Sequence, residues 1–216
     1  MRNHGLSIVL TALFLVFLVL QAVTGWKTYN DEQRDHDHPE VGLTSYLGTG
    51  HFLESVAENW ESEFLQMAAY VFLTAFLFQK GSSESKKPDE PNPEDEDPRR
   101  HRKSPDAPWP VRKGGAVLRL YEYSLGGVLL LLFLATFAMH ASYGYRHYVE
   151  EELEHGGAAP PLRDYLLGSR FWFESMQNWQ SEFLAVLAIV VLSIFLRHRG
   201  SPESKPVAAA NSETGG

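Results

Sequence analysis

The chain has no cysteine. That excludes disulfides, thiolate metal sites and thiol nucleophiles. A surplus of positive charge is lacking too: 27 acidic residues against 19 Lys and Arg give a net charge of −8. A nucleic-acid partner needs a concentrated basic surface to neutralise phosphates. The one dense basic cluster, Arg99-Arg100-His101-Arg102-Lys103, follows directly on an acidic block, so no nucleic acid is expected. No P-loop, dinucleotide fingerprint, Ser-His-Asp order or His-Glu-x-x-His pattern is present, and nothing supports nucleotide use or triad hydrolysis. No enzyme activity, catalytic residue, resident metal or cofactor is assigned from the sequence.

Mean hydropathy lies slightly below zero, but that mean conceals strong segregation into apolar runs and very polar stretches. The stretch Asn59-Trp60-Glu61-Ser62-Glu63-Phe64-Leu65 returns as Asn178-Trp179-Gln180-Ser181-Glu182-Phe183-Leu184, 119 residues later. The same offset aligns nearly the whole first half with the second. Each copy opens an apolar run that ends in a Gly-Ser segment, Gly81 to Lys86 and Gly200 to Lys205. The pattern predicts an all-α integral membrane protein: a four-helix bundle made of two tandem repeated helical hairpins.

The first apolar run, Leu6 to about Trp26, follows a short basic segment and has the look of a signal peptide. It lacks a clear small-x-small cleavage site and aligns with the internal run Leu125 to Tyr145, so it reads as a retained helix. At 1.5 Å per residue its length spans a bilayer core of about 30 Å. A second helix is expected from about His51 to Lys80, with Thr49 as N-cap and Gly81 as C-cap. The third is expected from about Val117 to His140 and the fourth from about Phe171 to His198. Residues 1–80 and 116–199 then form the two membrane repeats. Residues 81–115, with Glu94-Asp95-Glu96-Asp97 and almost no apolar content, read as a disordered charged linker. Residues 200–216 read as a flexible tail.

Of the 19 basic residues, 14 lie in the N-terminus, linker and tail or within four residues of them. The positive-inside rule puts those segments in the cytoplasm and the two acidic loops outside. Trp26, Trp60, Trp172, Trp179, Tyr143, Tyr145 and Tyr148 would form the outer aromatic belt. Because each repeat crosses twice, the copies share one orientation and are related by a pseudo-two-fold along the membrane normal.

The run Gly50-His51-Phe52-Leu53-Glu54 through Asn59 to Met67, with Phe171 to Ser175, Asn178 to Phe183 and Gly200 to Lys205, resembles an uncharacterised bacterial four-helix membrane-protein family, domain of unknown function 6766. The resemblance covers most of the chain apart from the linker. It implies the bacterial inner membrane, and it supplies no activity, ligand or site residue.

Asn59 and Glu63 are four apart and share a helix face, as do Asn178 and Glu182. Each Glu is placed about 6 Å inside the outer boundary. Gln21 and its repeat partner His140 reach a similar depth. A polar layer of Gln21, Asn59, Glu63, His140, Asn178 and Glu182 would serve helix packing or, on the sharper reading, bind a proton or cation. Trp60, Ser62, Trp179 and Ser181 complete the repeated signature, with the tryptophans as belt anchors. His147, Glu151 and His155 fall at i, i+4 and i+8, a spacing that lines up two imidazoles and a carboxylate on a helix; a solvated acidic face is the preferred reading. The expected function is structural, envelope-related or regulatory, with the bilayer as partner. A small proton or cation transporter is the alternative, and a pore from so few helices would require a homo-oligomer.

Overall fold

The computed structural model describes residues 3–215, and among these it is all-helical, with no strand. Four long helices dominate: α1 (Gly5–Asp35), α3 (Gly50–Phe76), α6 (Ser124–Glu154) and α8 (Ser169–Phe195). Short helices precede α3 and α8, namely α2 (Leu43–Tyr46) and α7 (Leu162–Leu167), and α4 (Trp109–Lys113) and α5 (Gly115–Glu122) precede α6. Three helices, α1, α6 and α8, are long and apolar enough to cross a membrane. Their apolar side chains are largely outward: Leu6 is 74% exposed and Leu131 66%. A continuous apolar exterior of this size is untenable in water and compatible with lipid. The remaining long helix, α3, matches α8 in length at 27 residues, but Glu54, Glu58, Glu61 and Glu63 make its first half much more polar.

Several boundaries differ from the sequence reading. α1 runs on to Asp35 and α6 to Glu154, well past their apolar runs, because the residues that follow are good helix formers and pair along the helix. Arg34 with Asp31 and His147 with Glu151 are such pairs. The expected helix from Val117 is broken: α5 ends at Glu122, and α6 begins at Ser124, whose Oγ donates back to the Tyr121 carbonyl at 2.9 Å. α3 stops at Phe76, so Gly81 is not its C-cap; its φ of +89° serves the following turn instead. Thr49 does cap α3, accepting from the Phe52 N–H at 3.3 Å.

Two compact units divide the chain: Met1–Asn59 with Thr136–Phe173, and Trp60–Ala135 with Glu174–Gly216. The first is organised around two buried tyrosines on two glycines. Tyr46 of α2 is 1% exposed and Tyr165 of α7 is 2% exposed. A Cβ at Gly25 would overlap the Tyr46 hydroxyl, and one at Gly144 would overlap that of Tyr165. Each tyrosine also meets an aromatic partner on either side. Tyr46 lies 5.6 Å from Tyr29 and 5.4 Å from Phe52, and Tyr165 lies 5.4 Å from Tyr148 and 5.5 Å from Phe171. The loops are fastened alike. Trp26 Nε1 donates to the Val41 carbonyl at 2.7 Å, and the Tyr145 hydroxyl donates to the Pro160 carbonyl at 2.8 Å. Every one of these correspondences has the 119-residue offset.

The second unit ties the Gly-Ser segments and tail together. Ser82 and Ser193 share a hydroxyl hydrogen bond at 2.9 Å, Gly81 N–H donates to Thr214 Oγ1 at 2.9 Å, and Gly215 N–H to the Ser82 carbonyl at 2.9 Å. Lys205, 1% exposed, donates to the carbonyls of Ala210, Asn211 and Glu213. The segment expected as a flexible tail is thus folded around a satisfied ammonium. The segment expected as a disordered linker carries local turns, including 3₁₀ turns at Pro93–Asp95 and Pro98–His101. The second is capped by Asp97, which accepts from the Arg99 N–H.

Adding a methyl at Gly144 should cost about 1–3 kcal/mol of stability, the usual range for overpacking. Thermal unfolding of Gly144→Ala in detergent checks this. Combined with Tyr165→Phe, which removes the overlapped hydroxyl, the loss should be smaller than the sum of the two single changes.

Candidate functional site

Within the first unit, α3 and α6 approach closely because Gly50 has no side chain: a Cβ there would lie 2.9 Å from the His147 backbone nitrogen. One turn along α3 is Glu54, only 6% exposed. A buried carboxylate loses the water that stabilises its charge and needs a donor in compensation. His147 supplies it, with Nδ1 2.5 Å from Glu54 Oε2. The other ring nitrogen, Nε2, faces Glu151 Oε1 at 3.4 Å, and Arg170 in turn pairs with Glu151. The imidazole thus sits between two carboxylates. The result is a chain of polar contacts, Glu54–His147–Glu151–Arg170, running from a buried oxygen to a half-exposed guanidinium. The second oxygen of Glu54, Oε1, is buried and receives no hydrogen bond. A Cβ at Gly144 would come within 2.6 Å of it, so that glycine gives the oxygen its room. His140, fully buried one turn before Gly144, stacks 4.9 Å from Phe171 and places a ligand atom within 4.8 Å of Glu54.

A second buried carboxylate belongs to the other unit. Glu61 is 0% exposed, and its Oε1 accepts from Trp179 Nε1 at 2.8 Å.

The family model Domain of unknown function (DUF6766) matches residues 1–216. The chain belongs to this family. No curated protein and no solved structure matches it.

The DUF6766 chain distributes the sequence-selected residues between its two units. In the first, Gln21 Nε2 donates to Ser55 Oγ at 3.2 Å, while Asn59 is exposed and donates to the Ser55 carbonyl of its own helix at 2.6 Å. In the second, Glu63 is exposed and Glu182 half-buried. Asn178 donates to the Glu174 carbonyl at 3.1 Å, and Ser181 to the Asn178 carbonyl at 2.8 Å, so both turn back on α8. Ser62 is buried and Trp60 half-buried. Trp179, expected as a belt anchor, donates its Nε1–H to the buried Glu61. His140 of the layer lies beside a buried carboxylate, and that carboxylate is Glu54, not Glu63.

The signal for Glu54 and Glu61 was present in the register. They are seven residues apart and share one face of α3 with Gly50, Ala57 and Ala68. A stripe of small residues marks where a helix meets its neighbours closely. Glu63 is about 200° around the helix from Glu61. The spacing His147, Glu151, His155 does not gather three ligands. His147 turns to Glu54, while His155 bonds its own helix at the Glu151 carbonyl and faces the His36 ring at 6.0 Å.

Burial, with the charge of Glu32 second, pushes the Tyr46 hydroxyl up to about 12 from its ordinary 10. The folded state therefore holds its phenolic proton where the unfolded chain has lost it, and stability is full below about pH 10 and falls as pH rises through 12. Unfolding measured between these values should show a downward slope that Tyr46→Phe reduces.

Proposed function

We propose that this DUF6766 protein is a non-enzymatic, multi-pass protein of the bacterial inner membrane with a structural or regulatory role in the envelope. Its four long helices act as four spans in two tandem hairpins, with both termini and the linker in the cytoplasm. The duplication is supported by the long helices, which begin at Gly5 and Ser124, and at Gly50 and Ser169, again at the 119-residue offset. It is supported further by the matching tyrosine-on-glycine contacts. The excess of Lys and Arg in linker and tail supports the orientation. Of the four carboxylates in the polar first half of α3, Glu54 and Glu61 are buried against protein groups, where charges inside spans are tolerated, while Glu58 is half-buried and Glu63 exposed.

The observation that carries the functional reading is the Glu54–His147 bond between α3 and α6. A buried charged pair held by a third and a fourth group fixes helix register, and it also makes the contact responsive to protonation. This suits a protein that holds or reports a conformational state of the envelope. A second reading, a small proton or cation transporter, is favoured by one observation, the unpartnered buried oxygen of Glu54.

Purified protein in liposomes, assayed for proton and cation flux, separates the two. The first reading expects flux no greater than in empty vesicles. Flux in the native protein that Glu54→Gln abolishes would reverse the order.

A further inference from the structure

We infer that Glu54 and His140 form a binding site for a divalent transition cation of the Zn²⁺ class. Glu54 Oε1 is buried without a hydrogen bond in a side chain only 6% exposed. A carboxylate oxygen in that position carries lone pairs that no described hydrogen-bond donor meets, and a bound cation meets them. The donor beside it is an imidazole. One ligand atom of His140 lies within 4.8 Å of one from Glu54, and His140 is fully buried. A zinc ion sits about 2.0–2.1 Å from each nitrogen or oxygen ligand, so small side-chain rotations bring both donors onto one ion.

The surroundings have the form of a site built from inside outward. His140, Gly144, His147 and Glu151 follow one another at intervals of four, three and four along α6, and so share the face turned to Glu54. Gly144 leaves space for Oε1. His147 holds the other oxygen, Oε2, and is itself held by Glu151 and Arg170. Outer groups that fix a ligating carboxylate in this way orient it and tune its basicity. The mixed nitrogen and oxygen donor set selects the ion. Imidazole favours Zn²⁺ and its neighbours, whereas Mg²⁺ and Ca²⁺ prefer oxygen alone. This inference requires no ion flux, so it stands or fails separately from both readings of function.

The test is calorimetric titration of the full chain, stripped with chelator and held in detergent, with Zn²⁺ and in parallel with Mg²⁺. The exposed histidines His4, His36, His38, His101, His155 and His198 are first replaced by alanine, to remove adventitious binding at the surface. The expected result is one equivalent of Zn²⁺, no comparable Mg²⁺ binding, and at least about tenfold weaker Zn²⁺ binding in Glu54→Gln and in His140→Gln. His147→Gln should weaken binding by about 10-fold or more, as loss of an orienting outer group does. Absence of a stoichiometric equivalent in the alanine background overturns the inference without recourse to any variant of the site. Undiminished binding in Glu54→Gln or His140→Gln overturns it as well.

Discussion

A carboxylate deep in a helix contact is costly unless something stands in for the water it has lost. Glu54 is in that position, and much of the first unit is arranged around the answer. Gly50 lets α3 come close enough for His147 to reach it, and Gly144 leaves room for its second oxygen. Glu151 and Arg170 hold the imidazole from behind. The same logic recurs in the other unit with a neutral donor, where the Trp179 indole meets the buried Glu61.

Around this contact lies a simpler device used twice. Tyr46 and Tyr165 each seat a hydroxyl on a glycine of a long helix, Gly25 and Gly144. The two halves then diverge in what they place nearby. The Tyr46 hydroxyl shares a hydrogen bond with His51 Nδ1 at 3.0 Å; Tyr165 lies beside the Glu54 oxygen across Gly144. Position 140 is histidine where its counterpart at 21 is glutamine, and position 54 is glutamate where its counterpart at 173 is phenylalanine. Glu54 and His140 come from opposite halves of the sequence, so the ionisable site arises from differences between the halves and not from their likeness.

That is also why the fold was more legible than the site. Apolar runs and the 119-residue offset marked the long helices, because length and hydropathy are properties of single segments. Helix ends were less clear: Leu153 and Glu154 continue α6 through a stretch whose polarity suggested a loop. For the site, the repeated residues Asn59, Glu63, Asn178 and Glu182 stand out in the sequence, whereas Glu54 is not repeated in register. Periodicity with Gly50, Ala57 and Glu61 would have identified the buried face. That His147 reaches across to it, however, depends on helix rotation and on a 93-residue separation. No local pattern encodes that contact.

The central claim is that the Glu54–His147 bond holds α3 to α6. A double-mutant cycle on thermal or denaturant unfolding, using Glu54→Gln, His147→Gln and the pair, measures it most directly. A coupling energy of about 1.5 kcal/mol or more is predicted, in the range for close charged pairs shielded from water. Additive effects, with coupling near zero, would contradict it and leave the two side chains as neighbours without mutual dependence.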